Sequence, residues 1–243
     1  LKSTTSTPWV TSGTSLSDRI RDKVTLGILI PSGPCWSARF AMSLVGAISY
    51  FMLHKVPYCQ GSQGFYVINE RGSILPQLRQ NLVEKALERK ETTHVLFIDS
   101  DETFPVHAIW RLMSHNLPVV GAAFPVKKLP SHWTVYTKVD GKLAYAPLTG
   151  QMPELVRVAR IGTGMLLLDV EVFRCLPKPW FPIQYRDGQW VGEDWSFCEM
   201  LESAGIPIVC DTRLSLEVGH VGEYEYTLRD IGSDKSGGNS TGS

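Results

Sequence analysis

Val95-Leu96-Phe97-Ile98 is an unbroken apolar run that stops at Asp99-Ser100-Asp101-Glu102, with Pro105 opening the segment that follows. An apolar run of this length between polar residues reads as a strand buried on both faces, the habit of parallel sheets. Ligands of open α/β sheets gather at the C-terminal ends of the strands, which is where the two aspartates fall. On an extended segment residues i and i+2 point the same way, so both carboxylates are expected to face one cation. Hard oxygen ligands of this kind suit Mg²⁺ or Mn²⁺, usually shared with the phosphates of a substrate. The expectation is a phosphorylated substrate handled through a divalent metal.

The first half of the chain alternates between the two periodicities that such a sheet needs. Val24 to Ile30 reads as a strand, stopped by Pro31-Ser32-Gly33-Pro34. A helix is expected from about Trp36 to Leu53, with Phe40, Leu44, Ala47, Ile48 and Phe51 on one face. Phe65 to Ile68 reads as a second strand, ending at Asn69-Glu70-Arg71-Gly72, and Ser73 as the N-cap of a helix to about Arg89. After the aspartate-bearing strand, Pro105 suits the first turn of a helix to about His115, and Pro118 to Phe124 reads as a fourth strand. Strand–helix alternation of this kind argues for a mostly parallel sheet.

The second half changes character. Asp140-Gly141 within Val135 to Tyr145 is a type I′ hairpin signal. Leu155 to Ala159 and Met165 to Leu168 read as strands on either side of Gly162-Thr163-Gly164, and Asp169 to Cys175 as a short helix. Asp187-Gly188 marks another turn, and Val191-Gly192-Glu193-Asp194 leads into a helix to about Ser203 that Gly205 caps. Ile206 to Cys210 and Leu214 to Val218 read as short strands. No repeat or linker divides the chain. The expected organisation is a loose Ser/Thr-rich arm over 1–18, one catalytic domain over 19–231, and a disordered Gly/Ser-rich tail over 232–243. Within that domain a nucleotide-binding half is expected over about 24–125 and an acceptor and catalytic half over about 126–231.

Composition removes several alternatives. In 243 residues, 24 Lys and Arg balance 24 Asp and Glu, so no global basic field favours nucleic acid. The longest nearly apolar stretch, Phe40 to Leu53, is too short to span a bilayer. Cys35, Cys59, Cys175, Cys198 and Cys210 are scattered and odd in number, which points to buried, reduced thiols in a cytoplasmic protein. No HxxxH, HExxH or cysteine pair has zinc spacing, and neither a Walker loop nor a GxGxxG follows the first strand.

Four further groups of residues can carry chemistry. Glu193 and Asp194 open a helix between Trp190 and Trp195; acids there complement the helix dipole, and aromatic neighbours would desolvate a general base or hold a sugar. His220 lies between Gly219 and Gly222 after the last strand, as a structural histidine or as a metal ligand. Gly162-Thr163-Gly164 is either a tight corner or a backbone floor for a sugar. Among basic residues Arg71, at a strand end, is the preferred bidentate phosphate partner; Arg79, Lys127 and Lys128 either meet phosphate or sit in water. The phrase Asp99-x-Asp101-x-Thr103 also fits a haloacid-dehalogenase-type phosphatase, with Asp99 as nucleophile. That motif normally lies on the first strand of its domain, and here two strand–helix units precede it.

Taken in order, these pieces resemble the GT-A fold glycosyltransferases, in a family-2-like form of the phage and bacterial type. The phrases carrying the resemblance are Ile30-Pro31-Ser32, Arg71-Gly72-Ser73 with Arg79-Gln80-Asn81-Leu82-Val83, Asp99-Ser100-Asp101 with Phe104-Pro105, and Val120 to Pro125. Gly162-Thr163-Gly164, Gly192-Glu193-Asp194 and His220 complete the series, which spans roughly residues 24 to 228. The resemblance implies an α/β, Rossmann-like, mostly parallel central sheet with flanking helices and a smaller antiparallel hairpin part in the C-terminal half. It implies a nucleotide-diphospho-sugar donor, most simply a UDP-sugar, with Pro31, Ser32, Arg71 and Asp99 at the nucleotide. Arg79, Gly162, Thr163, Gly164 and Trp195 are the further expected donor contacts. Asp101 and His220, with Asp99, would hold Mn²⁺ or Mg²⁺ on the diphosphate, and Asp194, or Glu193, would deprotonate the acceptor hydroxyl. The acceptor stays open between a hydroxymethylated pyrimidine of phage DNA, a polysaccharide and another hydroxyl, with no stable membrane insertion. A non-catalytic nucleotide-sugar or carbohydrate-binding module is the remaining alternative. Glu102 departs from the pattern, since an apolar residue is common after the second aspartate; a third carboxylate there either alters metal affinity or faces solvent.

Overall fold

Residues 20–129, 131–146, 148–222 and 225–227 are described by a computed structural model; the expected arm and tail lie outside them. The chain runs β1 (Arg21–Ser32), α1 (Ala38–Leu53), β2 (Cys59–Arg71), α2 (Leu75–Glu88), β3 (His94–Ile98), β4 (Glu102–Thr103), α3 (Ala108–Ser114) and β5 (Val119–Gly121). It continues through β6 (Val135–Val139), β7 (Lys142–Tyr145), β8 (Leu155–Val158), β9 (Arg160–Ile161), β10 (Met165–Asp169) and α4 (Glu171–Cys175). The last elements are β11 (Gln184–Arg186), β12 (Gln189–Val191), α5 (Glu193–Ser203), β13 (Ile208–Asp211), α6 (Thr212–Ser215), β14 (Gly219–Val221) and β15 (Glu225–Tyr226).

Seven strands form the central sheet in the order β2-β1-β3-β10-β5-β13-β8. β1 pairs in parallel with both β2 and β3, and β13 with β5, while β10 and β8 run against their neighbours. Five of the seven strands therefore share one direction. Alternation along the central strands splits the core into two layers. Val95 and Phe97 of β3, with Leu166 and Leu168 of β10, pack beneath α2 and α5 through Leu82, Val83, Phe197 and Leu201. Leu96 and Ile98, with Met165 and Leu167, turn to the other face under α1 and α3 through Phe40, Leu44, Ile109 and Leu112. Both faces of the sheet are thus covered, which is why β3 is apolar from Val95 to Ile98 and β10 from Met165 to Leu168. Each such side chain taken fully out of water contributes roughly 1.5–3 kcal/mol.

Local chemistry accounts for the ends and turns. Ser37 caps α1 by accepting the Phe40 N–H at 3.0 Å. Asp140 and Gly141 take φ of 51° and 75°, the two left-handed residues a type I′ hairpin needs between β6 and β7. Asp187 and Gly188 do the same between β11 and β12.

Three local expectations need correction. Ser73 is not the N-cap of α2: Ile74 holds that position without a side-chain bond, and Pro76 in the first turn sets the start. Pro105 lies ahead of α3 rather than in it, its carbonyl accepting the Ala108 N–H at 3.0 Å. Leu214 to Val218 is not a strand, because Asp211 caps α6 by accepting the Leu214 N–H at 2.9 Å and the Ser215 hydroxyl bonds back to the Asp211 carbonyl. All five cysteines are free, yet Cys35 is exposed and Cys175 partly so; only Cys59, Cys198 and Cys210 are buried.

Candidate functional site

β1 has β2 on one side and β3 on the other, so the strand order reverses between β1 and β3. At such a reversal the crossovers leave to opposite faces and open a crevice at the carboxyl ends of the strands. A cleft of about 190 Å³ lies there, lined by Pro31 and Ser32 at the end of β1 with Gly33 beyond it, Gly72 and Ser73 after β2, and Asp99 to Asp101 after β3. Ser32 is held in place by Asn69, whose side-chain amide donates to the Ser32 hydroxyl at 2.8 Å and to the Ile30 carbonyl at 2.7 Å.

The two aspartates do not continue an extended strand. β3 ends at Ile98, and the chain turns at once, the Glu102 N–H reaching the Asp99 carbonyl at 3.3 Å before β4 begins. The turn sends the carboxylates to different partners, so the expectation that i, i+2 spacing makes them parallel is corrected. Asp99 accepts from Nη2 of Arg79 at 3.1 and 3.3 Å. Asp101 accepts from the ammonium of Lys127 and lies 3.4 Å from Nε2 of His220. Burial alone would raise the Asp101 pKa, but hydrogen bonds from His220 and Lys127 outweigh it and hold the group at about 2.

His220 arrives from the far end of the sequence by strand pairing. β14 runs antiparallel to β4 with His220 opposite Glu102, and the Val221 N–H donates to the Asp101 carbonyl at 2.6 Å. The ring is fixed at its other nitrogen, Nδ1 standing 2.9 Å from the Pro125 carbonyl. With Nδ1 taken up by that carbonyl, Nε2 is the ring nitrogen that faces Asp101 and is placed to serve a metal. Asp101 and His220 therefore have the chemistry and the orientation to hold a divalent cation. Asp99 is engaged by Arg79, and among the described residues the three do not form a closed triplet of ligand atoms. The His, Cys, Asp and Glu triplet that does close, within 4.8 Å, is His115, Glu154 and Asp211. Arg111 already fills that group, donating to Asp211 at 2.6 and 3.1 Å and to Glu154 at 2.7 Å.

Arg79 and Arg71 exchange the importance the sequence assigns them. Arg79 is 3 % exposed and donates to Glu193 as well as Asp99, linking α2, the β3 turn and the start of α5. Arg71 is exposed at the end of β2, outside the cleft lining, and donates to the Pro34 carbonyl at 2.9 Å. A helix-surface arginine and a buried one look alike in sequence; only the 3.6 period through Leu78, Leu82 and Val83 places Arg79 beside the buried stripe of α2.

Glu193 and Asp194 open α5 at Gly192, and Arg79 separates their roles. Glu193 is neutralised by the guanidinium. Asp194 accepts its bond from the Trp195 N–H at 2.7 Å, and burial together with the neighbouring Glu193 charge lifts its pKa above the usual aspartate value. A raised carboxylate with no cation on it is the better proton acceptor of the two. Trp195 packs edge-on against Tyr136 at 5.0 Å, whereas Trp190 is 73 % exposed and stands 5.0 Å from Tyr185 on the β11–β12 hairpin.

Gly162, Thr163 and Gly164 are buried. A Cβ on Gly162 would meet the Phe124 ring at 2.7 Å, and one on Gly164 would meet Oε1 of Glu102 at 2.1 Å and the Phe124 ring at 2.8 Å. Their glycines admit protein neighbours, and the Gly164 carbonyl fixes Asp99 by accepting its N–H at 2.8 Å. Glu102, whose side chain was expected either to tune a metal or to face solvent, is fully buried, so the solvent-facing alternative is corrected. Neither carboxyl oxygen has a hydrogen-bond partner. Burial first, then the charges of Asp99 and Asp101, push its pKa well above the ordinary carboxyl range.

No family model matches the sequence, and no curated protein matches it either. Solved structures do match in shape. The crystal structure of A197 from STIV aligns with a TM-score of 0.50 at 18 % identity, over 82 % of this chain and 86 % of that one. GalNAc-T7 with UDP, GalNAc and Mn²⁺ aligns with a TM-score of 0.50 at 14 % identity, over 86 % of this chain and 47 % of that one. The fold is therefore GT-A-like: a mostly parallel central sheet with flanking helices and small antiparallel hairpins. Among the described residues no helix is long and apolar enough to cross a membrane.

Proposed function

We propose that this chain is a metal-dependent glycosyltransferase that moves a sugar from a nucleotide-diphospho-sugar, most simply a UDP-sugar, to a hydroxyl acceptor. The observation that carries the reading is the approach of His220 to Asp101, 119 positions earlier in the chain, at the mouth of the cleft where the strand order reverses. Mn²⁺ or Mg²⁺ held there would neutralise charge that builds on a departing diphosphate. The rest follows from the chain's own groups. Pro31, Ser32 and Gly33 line the cleft that would receive the nucleotide, and Arg71 precedes Gly72 of the same lining. Lys127, which pairs with Asp101 at the cleft, would offer its ammonium to a phosphate bound there. Asp194 accepts the proton of the acceptor hydroxyl while Arg79 keeps Glu193 from competing.

The phosphatase reading needs Asp99 free as a nucleophile, and Arg79 engages both of its oxygens. The exposed rings of Tyr185 and Trp190, just ahead of Asp194, favour a flat acceptor such as a sugar or a base, and a hydroxymethylated pyrimidine of phage DNA stands among the candidates. The five free thiols fit a cytoplasmic setting. The test is release of UDP or GDP from a panel of nucleotide sugars with Mn²⁺, against hydroxymethylated DNA and oligosaccharide acceptors. Release that disappears in Asp101→Ala is the expected result. Absence of both turnover and donor-induced thermal stabilisation across the panel refutes the proposal, and tight donor binding with no turnover supports the binding-module alternative.

A further inference from the structure

The β11–β12 hairpin turns two large aromatic side chains to solvent. Tyr185 and Trp190 stand directly opposite each other across the two strands and so project to one face. They are 62 % and 73 % exposed. Their strand neighbours point the other way. On that inner side Gln184 lines a crevice with Ser196, Glu199 and Met200 of α5. Arg186 donates to Glu199, which also accepts from the buried Arg160 at 3.2 Å. The hairpin is therefore tied to α5, the helix that opens with Glu193 and Asp194. Trp190 comes four residues before Asp194, so their backbones lie within about 14 Å of each other. The outward rings are thus tethered a short way from the proposed proton acceptor.

Ring geometry and local charge separate the flat acceptors from one another. The rings stand 5.0 Å apart at 55°, a distance at which they already touch and leave no slot for a third ring between them. What they offer is an open, angled apolar surface, suited to the C–H face of a sugar ring. A nucleic acid strand needs cations along its backbone as well as rings to stack on. The hairpin's one cation, Arg186, is engaged by Glu199, and its neighbours in the chain are the acids Asp187, Glu193 and Asp194. We propose that Tyr185 and Trp190 form the acceptor subsite and that the acceptor is an uncharged oligosaccharide. One sugar lies on the rings, and the next, toward Asp194, offers the hydroxyl. The proposal rests on the glycosyltransferase reading and adds to it the class of acceptor.

The full chain is screened on an array of immobilised oligosaccharides, and calorimetry with the best soluble ligand compares wild type, Tyr185→Ala, Trp190→Thr and Trp190→Phe. Thermal unfolding of each variant is read alongside, as is its affinity for UDP and GDP with Mn²⁺. Threonine keeps the preference for a strand and removes the ring; phenylalanine keeps a ring. The expected result is an uncharged oligosaccharide bound by wild type, weakened about tenfold or more in Tyr185→Ala and Trp190→Thr, and largely recovered in Trp190→Phe. Nucleotide affinity is expected to stay unchanged throughout. Equal oligosaccharide affinity in wild type and Trp190→Thr overturns the subsite. No binding on the array, with nucleotide still bound, overturns the carbohydrate acceptor and leaves the glycosyltransferase reading standing; loss of nucleotide binding in wild type removes that reading as well. A hydroxymethylcytosine oligonucleotide that binds wild type and not Trp190→Thr assigns the rings to a nucleobase and overturns the proposal. Equal weakening in Trp190→Phe and Trp190→Thr, with a matching fall in Tm, assigns the pair to hairpin stability alone and also overturns it.

Discussion

Removing the Arg79 guanidinium probes the point where the two halves of the site meet. Arg79 is 3 % exposed, and its partners Asp99 and Glu193 retain 22 % and 14 % of their side-chain exposure. Deleting one partner of a buried ion pair costs about 3–5 kcal/mol, because the remaining charge stays desolvated. Here two carboxylates are left, but both touch water and recover part of their hydration, so Arg79→Ala is expected near the lower end, about 3 kcal/mol. That is a large share of the roughly 5–15 kcal/mol that holds a domain folded. Urea denaturation of Arg79→Met, Glu193→Gln and the double variant gives the pairwise coupling, expected at about 1 kcal/mol or more. The same loss strips Glu193 of its counter-charge and strengthens its repulsion of Asp194, so the acid limb of the rate profile should move to higher pH. An Arg79→Ala protein within 1 kcal/mol of wild type, or a cycle with coupling below about 0.5 kcal/mol, defeats the argument.

Asp194→Asn is expected to lower kcat by about 10²–10⁴-fold with little change in donor affinity, the range typical of a general base. In the wild-type protein the rate should rise with pH as Asp194 ionises, at a pH above the ordinary aspartate value of about 3.9; a limb at or below that value excludes Asp194. His94 is buried, and burial drives its pKa down to about 4, against a weaker opposing pull from Asp169. The folded protein then binds fewer protons than the unfolded chain between about pH 6.5 and 4, so stability should fall by up to about 3 kcal/mol as pH drops through that window. Denaturation from pH 7 to 4 checks this, with His94→Gln flattening the slope; equal slopes in the two proteins refute the assignment.

Periodicity made the sheet legible. The apolar runs of β3 and β10, the apolar face of α1 and the Asp-Gly hairpins carry their structure within ten or so neighbouring residues, and the observed elements follow them closely. Short polar elements were less readable. The segment after β13 alternates Leu214, Leu216 and Val218 with polar residues as a strand would, yet one aspartate at Asp211 caps a helical turn there. The aspartate turn was misread for a related reason: nothing in Asp99-Ser100-Asp101 announces that the chain reverses after Ile98, since that reversal is fixed by Gly164 and by the pairing of β4 with β14. Arg79 and Glu102 show the same limit from the side of burial. Each is a charged residue in an exposed-looking sequence context, and each is buried because a distant segment covers it.

The distribution of these long-range ties explains why the candidate site is divided as it is. The cleft itself is built by consecutive β–α units, whose strands end at one edge through parallel pairing alone. His220 and Asp194, the proposed ligand and proton acceptor that join the cleft's own Asp101, come from segments more than 90 residues further on. β14 is fastened by the bond from Val221 to the Asp101 carbonyl and by its short ladder to β4, while α5 is fastened by Arg79. Asp99 and Asp101 are therefore less a pair of equivalent ligands than two anchor points: Asp99 draws in the helix that carries Asp194, and Asp101 draws in the strand that carries His220. Their divergence in the turn is what allows one short motif to organise both halves of the chemistry.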